Sequence, residues 1–361
     1  MNNKKFISGL LICSILFTNA KAQPEPFNEK PRKVKMPKYF IAELPSKTLR
    51  FSAIHVIQTV WDSTTLGYLQ KGAFNITAEA IPAKDMTAFL QEYVTSQYKE
   101  YFKKDGSQVL MVFKNLRMTE KTFFSRERAY LLFNADAYIS TNGNNYKLAA
   151  SVDSVLIMQG LTDITSLHGQ NLAYGILDLL KKCLGKGVHA LNNDTHGLTP
   201  EQIMQNEMQR YDWPIIKSEK TKEGAFMTFE EFLQNNPSLT KFETEIVDKK
   251  SLKILAIKED SSRSEIKPWG ICKEGEIYKF HEGQLIPIEK KGNGFIISDY
   301  LEKSQRRNGG IAIASLFGGL AGAGIVSATS KKLFPVTLFS YIKKQQPDAS
   351  AIDMRTGELT F

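Results

Sequence analysis

Few residues in this sequence carry the side chains that acid–base catalysis needs. Asp136 and Asp153 fall in alternating segments that predict neighbouring strands, and His55 falls in an earlier segment of the same kind. Two nearby carboxylates can act as general acid and general base when one of their pKa values is raised, so these residues are the first suspects if the chain is a secreted hydrolase. The simpler interpretation places both carboxylates on an exposed strand face. The sequence contains no GxSxG, HExxH, Walker A or EF-hand motif, and we assign no catalytic residue.

Two further groups of residues could bind a metal or form a crosslink. His189, Asp194 and His196 are close together in sequence and could share a metal ion, although loop histidines are more often solvated. Cys183 and Cys272 are far apart in sequence. An oxidising compartment would allow a disulfide between them, and two buried free thiols are the alternative. No cysteine or histidine spacing is typical of a metal site, so we expect neither a metal nor a cofactor.

The sharpest pattern is an apolar tract near the end of the sequence. Residues 309–330 are 22 consecutive positions without a charge, and two basic residues flank each side. As a helix, this Gly/Ala tract would be about 33 Å long, enough to span a hydrocarbon core. Small residues recur at the spacing that lets two helices approach closely in lipid: Gly310, Ala314, Gly318, Gly319, Gly322, Ala323, Gly324 and Ala328. We expect membrane contact or self-association here, and a soluble apolar loop is the alternative.

The first residues predict export. Two lysines precede a short apolar stretch (residues 6–17), and Ala20 and Ala22 give a small-x-small cleavage signature. Cys13 follows an isoleucine rather than the small residue that lipid attachment requires, so we expect a cleaved signal peptide (residues 1–22). Cleavage removes three of the 47 basic residues and lowers the net charge from +9 to 44 − 38 = +6. The predicted location is the periplasm or the outer membrane.

The elements that must position these residues predict an α+β fold. Residues 23–38 are basic and rich in proline, which predicts an extended tether. Residues 39–190 predict one domain with the order β-β-α-β-β-β-α. Its first helix begins after Asp85, and its second helix ends at Gly185. An antiparallel sheet with both helices on one face is the simplest way to bury the apolar stripes of the two helices.

The rest of the sequence predicts a connector and a second, β-rich domain. The connector (residues 191–224) contains a short helix, because Thr199 and Gln202 form a capping-box pattern around Pro200. Residues 225–361 alternate short strands with glycine-containing turns, which is typical of a meander or a small barrel. The Gly/Ala tract interrupts this domain.

Composition and charge exclude several classes of protein. Hydrophobic residues are 42% of the chain and charged residues 24%, which excludes a wholly disordered chain and a polytopic membrane protein. Basic residues are spread along the sequence, and most aromatic residues lie on the periodic core faces. A surface for nucleic acid needs exposed aromatic residues among clustered basic ones, so we expect no nucleic-acid partner.

Two resemblances to known families add to these patterns. The first rests on the stretch 229–237, the pair 269–270, the triplet 276–278, the Gly/Ala tract and the closing turn 353–357. With these features the C-terminal part of the chain resembles a family of uncharacterised secreted proteins of Bacteroidota, which implies no known activity. The second rests on the order of elements over residues 49–184. That order is similar to small auxiliary proteins of bacterial envelope and lipid-transport systems.

The sequence therefore predicts an exported, non-enzymatic cell-envelope protein with a binding or assembly role and with membrane association through residues 309–330. The expected partner is a membrane lipid or an envelope protein, and the tract could also assemble a homo-oligomer. Two other functions remain open: a secreted hydrolase with an unidentified site, and a soluble periplasmic binding protein that docks a partner with the tract.

Overall fold

The alternating segments of the first half of the chain assemble into a seven-stranded sheet. The computed structural model describes residues 30–40, 43–44, 49–71, 75–123, 126–161, 164–193, 196–247, 251–305 and 347–361. The strands of this first sheet are β1 (Arg32–Val34), β2 (Phe51–Gln58), β3 (Gly67–Lys71), β4 (Ile76–Pro82), β5 (Ser107–Thr122), β6 (Glu127–Ser140) and β7 (Lys147–Gly160). Their order is β1-β4-β3-β5-β6-β7, and β2 pairs with the part of β5 that precedes its pairing with β3.

This sheet is mixed, which corrects the antiparallel sheet that we predicted. Strands β2 and β3 run parallel to β5, and β1 runs parallel to β4, whereas β5, β6 and β7 form an antiparallel meander. Parallel neighbours need a long crossover connection. The connection from β2 to β5 is such a crossover, because it contains β3, β4 and the first helix.

Two helices, α1 (Met86–Tyr98) and α2 (Leu167–Asn192), pack against one face of the first sheet. Buried residues of both helices share a single core with the odd-numbered residues of β6. Helix α1 begins where predicted, because the Asp85 carboxylate accepts hydrogen bonds from the amides of Thr87 (3.0 Å) and Ala88 (3.1 Å). We call the helix-covered face the inner face and the opposite face the outer face.

Helix α2 does not end at Gly185, as predicted, but continues to Asn192. One side of its last turns, at Gly187 and Ala190, is buried, so tertiary packing outweighs the low helix propensity of glycine. A Cβ atom at Gly187 would lie 2.8 Å from Leu49 and 2.9 Å from Ile139, which shows how closely the helix approaches its neighbours. Gly185 has open space around its Cα atom.

The connector contains the predicted short helix, α3 (Pro200–Met208). Its capping box is confirmed: Gln202 donates its amide to Thr199 Oγ1, and the Gln202 side chain accepts the Thr199 amide. Helix α3 lies on the outer face of the first sheet, where Ile203 is buried against Leu110. This face therefore carries a cover of its own, opposite to α1 and α2.

The second half of the chain forms an open sheet rather than the barrel that was one alternative. Its order is β17-β16-β15-β14-β13-β12-β8. The strands are β8 (Gly224–Phe226), β12 (Gly270–Lys273), β13 (Glu276–His281), β14 (Gln284–Lys291), β15 (Gly294–Ile297), β16 (Ala351–Ile352) and β17 (Leu359–Thr360). The run from β12 to β15 is the predicted meander. The described margins β8 and β17 do not pair with each other, so this sheet does not close.

Both faces of this second sheet are covered. Helices α4 (Pro214–Lys217) and α5 (Phe229–Leu233) contribute to the core on one face. A three-stranded sheet covers the other face, where Ile254 and Ile271 share a cluster; its order is β11-β10-β9, and its strands are β9 (Phe242–Ile246), β10 (Leu252–Ile257) and β11 (Arg263–Ile266). We refer to residues 30–193 as the N-terminal lobe and to residues 214–305 with 347–361 as the C-terminal lobe.

A buried arginine joins the two lobes. Arg117 on β5 is 2% exposed, and its Nε donates to the main-chain oxygen of Phe361 at 2.8 Å. Its Nη2 donates to Ser350 Oγ at 3.0 Å, and its guanidinium carbon lies 4.7 Å from the ring centroid of Trp61. Asn293 of the C-terminal lobe donates its amide to the Trp61 oxygen at 2.8 Å. The lobes therefore meet through desolvated polar contacts that fix their relative position.

The Gly/Ala tract lies outside the described residues, together with the predicted signal peptide. The roles predicted for Gly310, Gly318, Gly322 and their neighbours therefore stay predictions. Among the described helices, none has both the length and the apolar character that crossing a bilayer requires.

Candidate functional site

A patch of polar side chains lies on the outer face of the first sheet. Odd-numbered residues of β6 face the inner core, so the even-numbered Asn134 and Asp136 point outward. The pairing of β5 with β6 shifts between Phe113 and Asn115, so Lys114 is an extra, bulged residue. We call this patch the polar floor; its members are Lys114, Asn115, Asn134, Asp136 and, on β7, Ser151.

The centre of the polar floor is a nearly buried ion pair. Lys114 Nζ lies 2.8 Å from Asp136 Oδ2, and the two side chains are 19% and 7% exposed. The second carboxylate oxygen, Asp136 Oδ1, is buried without a hydrogen-bond partner, as is the neighbouring Asn115 Oδ1. Unpartnered buried acceptors are uncommon because each one loses its hydration. The polar floor therefore holds two acceptor oxygens that a hydrogen-bond donor could satisfy.

One wall of the polar floor is the end of α3 and the turn that follows it. Arg210 Nη2 donates to the Lys114 main-chain oxygen at 2.8 Å and to Thr59 Oγ1 at 3.0 Å. Its Nη1 lies 3.3 Å from Glu207 Oε2. The remaining donor, Arg210 Nε, is buried and has no partner. This wall thus places an unpartnered N–H on the arginine that is bonded to the Lys114 main chain.

The other wall comes from the C-terminal lobe. Arg355, in the turn between β16 and β17, lies 2.7 Å from Asp153 Oδ2, and both side chains are about half exposed. Asp153 is the cross-strand neighbour of Asn134, and Ser151 is the cross-strand neighbour of Asp136. Ser151 and Asp153 are exposed, so the polar floor opens to solvent along β7.

The charged side chains around the polar floor are paired with one another. Lys114 pairs with Asp136, Arg210 with Glu207, and Arg355 with both Asp153 and Asp353. Burial, reinforced by the negative charges of Asp136 and Glu207, raises the pKa of Tyr138 on the same face to about 12. Tyr138 is therefore a neutral phenol at physiological pH, and it adds an uncharged hydrogen-bonding group to this face.

The structure does not bring the three hydrolase suspects together. His55 is exposed on β2, and β5 lies between β2 and β6, which puts two strand spacings, about 10 Å, between His55 and β6. Asp136 and Asp153 do lie on neighbouring strands of one face, but each pairs with its own basic residue. Asp136 is also buried rather than exposed.

The other sequence candidates are dispersed as well. His189 is near the end of α2 and His196 is in the following loop, and Asp194 lies outside the described residues. No group of metal-ligating side chains occurs in the part of the chain that the structure describes. Cys183 and Cys272 are both free and buried. They belong to the separate cores of the two lobes, so the structure contains no disulfide between them.

Sequence reasoning missed a buried pair at the start of α2. His168 Nε2 lies 2.9 Å from Glu120 Oε1, and the side chains are 0% and 3% exposed. The second Glu120 oxygen accepts the amide of Gln70 at 2.8 Å. Because the pair is enclosed, it holds α2 to β5 and β3 rather than facing a substrate. His168 and Glu120 are 48 residues apart, so no local motif could have identified them.

Comparisons with known proteins give no assignment. No known protein family matches the sequence, and no curated protein matches it. Among solved structures, a protein from Xanthomonas campestris of the family DUF330 is similar over 45% of this chain and 98% of its own, with 10% identity and a TM-score of 0.30. A second, uncharacterised protein is similar over 43% of this chain and 98% of its own, with 9% identity and a TM-score of 0.25.

Proposed function

We propose that this protein is an exported, non-enzymatic binding protein of the cell envelope and that it holds its ligand on the polar floor. The observation that carries the proposal is the Asp136 carboxylate. It is nearly buried, one oxygen is fixed by Lys114, and the other has no partner. A buried charged acceptor in this state gains most from a ligand that donates a hydrogen bond, because charge-assisted bonds are the stronger ones.

The chemistry of the polar floor selects the class of ligand. Asp136 Oδ1 and Asn115 Oδ1 can accept, and Arg210 Nε can donate. A hydroxyl group both donates and accepts, so neighbouring hydroxyls of a sugar match this set. Each acidic side chain around the site already has a basic partner, which favours a neutral ligand over a polyamine. Sugars and sugar-bearing lipid head groups are therefore the ligands that we propose.

The route of approach is along β7. Ser151 and Asp153 are exposed at the open end of the polar floor, whereas Asp136 lies at its closed end. Lys114 lies beyond Asp136, on β5, and its long side chain can adjust without moving the sheet. A ligand that enters from β7 would meet Ser151 first and the Asp136 carboxylate last.

Membrane association through residues 309–330 remains part of the proposal, and its support is the sequence pattern alone. The test is to delete these residues and to fractionate cells that produce the variant. We expect the deletion to move the protein from the membrane fraction to the soluble fraction. Unchanged membrane retention would remove this part of the proposal and leave the ligand site untouched.

Ligand binding is tested with a panel of probes and a matched pair of variants. The probes are glucose, galactose and N-acetylglucosamine as neutral sugars, with spermidine as the charged comparison, and the measurement is isothermal titration calorimetry. We expect at least one neutral sugar to bind and the variant Asp136→Asn to weaken it by about tenfold or more, since a charge-assisted bond is lost. Asp153→Asn, on the same face but outside the closed end, should leave binding within about twofold. Equal binding by both variants, or binding of spermidine alone, contradicts the proposed ligand class.

A further inference from the structure

Strand β7 is an edge strand and forms one margin of the first sheet, where a margin is the side of an edge strand that pairs with no further strand. It differs from every other described margin. It has fourteen residues (Lys147–Gly160), and among the described residues it pairs only with β6. The other margins are two to five residues long, except the eight-residue β2, whose main chain at Ile54 and Val56 is bonded to the Gln91 side chain. Two of them also carry paired charges on their exposed face, Glu243 of β9 with Arg263 of β11. Short, charged margins are the usual protection against pairing with another chain.

Strand β7 lacks most of the features that keep the other margins from pairing with another chain. Lys147, at its start, folds its ammonium group back onto the main-chain oxygens of Leu191 and Asn193. Over the remaining residues the only charge is Asp153, which Arg355 pairs. The strand has no proline, and Ile157 is 54% exposed. A long, nearly uncharged margin with exposed apolar side chains favours pairing with a further strand.

We propose that β7 pairs with the β7 strand of a second copy of this chain, antiparallel about a twofold axis at Ser154. A twofold contact pairs the free main-chain groups of β7 in both copies at once, and it leaves no further β7 strand free to pair. The proposal is independent of the polar floor, because the axis lies at the free margin of β7 rather than at Asp136.

The side chains of β7 select both the partner and the register. Antiparallel neighbours must match odd with odd positions so that the apolar inner faces stay on one side. An axis at Asp153 would place two carboxylates opposite each other, which destabilises the pair. An axis at Ser154 places Val152 opposite Leu156 of the second copy and Ala150 opposite its Met158. Small residues then face larger ones, and Asp153 faces an uncharged valine.

The first experiment measures the register directly. In the full chain, the variant Ser154→Cys places two thiols opposite each other across the axis, at a Cα separation of about 4.5–5.5 Å that a disulfide bridges. We expect rapid formation of a covalent dimer under mild oxidation. The control variant Ser151→Cys has no cysteine opposite it in this register and should stay largely uncrosslinked. A Ser154→Cys variant that crosslinks no faster than Ser151→Cys overturns the proposal.

The second experiment separates this contact from self-association through the Gly/Ala tract. Ser154→Lys places two ammonium groups at the axis, so we expect the dimer to weaken by about tenfold or more. Thr244→Lys, on the short β9 margin, is the control and should change the dimer affinity by less than about twofold. Mixing Ser154→Lys with Ser154→Asp should restore the dimer. Light scattering coupled to gel filtration reports all three results, and an unchanged mass for Ser154→Lys, with circular dichroism showing a folded chain, overturns the proposal.

Discussion

Replacing Arg117 by methionine should both destabilise the protein and separate the unfolding of its two lobes. Methionine keeps most of the side-chain volume but removes the charge and the donors. The variant loses the bonds to Phe361 (2.8 Å) and Ser350 (3.0 Å) and the contact with the Trp61 ring. These contacts between the lobes are buried, so their loss reports how strongly one lobe stabilises the other.

The magnitude follows from opposing contributions. Each hydrogen bond from a charged donor contributes about 1.5–3 kcal/mol, and a desolvated cation–π contact about 2 kcal/mol. Against these stands the cost of burying a guanidinium group, several kcal/mol, which methionine avoids. Burial also lowers the pKa of Arg117, a sign of the same cost. We expect a net loss of about 2–4 kcal/mol in the free energy of unfolding, because two acceptors lose a donor.

Urea unfolding with two probes measures both effects. The protein has three tryptophans. Trp61 lies at the contact between the lobes, and Trp213 and Trp269 pack with the core of the C-terminal lobe. Fluorescence therefore reports the C-terminal lobe, whereas circular dichroism at the helix band reports mainly α1 and α2. In the natural protein the two transitions should coincide, and in Arg117→Met the fluorescence transition should come first.

The control is Arg355→Met, which also breaks a contact between the lobes, but at a half-exposed position. An exposed ion pair contributes about 0–1 kcal/mol, so this variant should unfold nearly like the natural protein. If Arg117→Met shifts the urea midpoint no more than Arg355→Met does, the reasoning that desolvated contacts hold the lobes together is wrong.

Three further predictions follow from particular side chains. Gly185→Ala should stabilise the protein by about 0.5–1 kcal/mol, because alanine is the better helix former and the position is open. Gly169→Ala should destabilise it, because the added Cβ would clash with the main-chain oxygen of Lys35. Thermal unfolding should therefore show a higher midpoint for the first variant and a lower one for the second. Burial raises the pKa of Cys183 to about 12 and that of Cys272 to about 11, so both thiols should resist a disulfide reagent at pH 8 until urea unfolds the chain, and rapid reaction without urea would contradict their burial. Burial opposes ionisation of Asp62, but hydrogen bonds from two threonines bring its pKa below the ordinary value. The stabilisation that the Asp62 carboxylate gives is therefore present above the unfolded-state pKa and is lost as the pH falls through the folded-state pKa. The difference in the free energy of unfolding between the natural protein and Asp62→Asn should accordingly shrink below about pH 4.

Local patterns in the sequence predicted most helices and strands, but they did not predict which elements pair or pack with each other. The helix caps at Asp85 and Thr199 were predictable, because a capping side chain and the amides that donate to it are within three residues of each other in sequence. The parallel pairing of β2 with β5 was not, because the residues that pair are more than fifty apart and both strands show the same alternation. The end of α2 was misplaced for a related reason, since contacts with Leu49 and Ile139 decide it.

The candidate site shows the same division. Asp136 was singled out from its residue type and its alternating segment, and its position on β6 beside β7 is confirmed. Its partner Lys114 depends on a bulge in β5, which no pattern in the sequence marks. The wall at Arg210 comes from a different element altogether and is placed by contacts with Thr59 and the Lys114 main chain. Residue types therefore indicated one member of the site, and only the fold supplied the others.

The position of Arg117 along the chain has a consequence for biosynthesis. Its two partners lie 233 and 244 residues further on, so a ribosome must synthesise at least 233 further residues before this guanidinium group can be enclosed. Until then the guanidinium group on β5 lacks these two acceptors, which delays cooperative folding of the first half. For the export that we propose, such a delay would keep the chain unfolded during translocation.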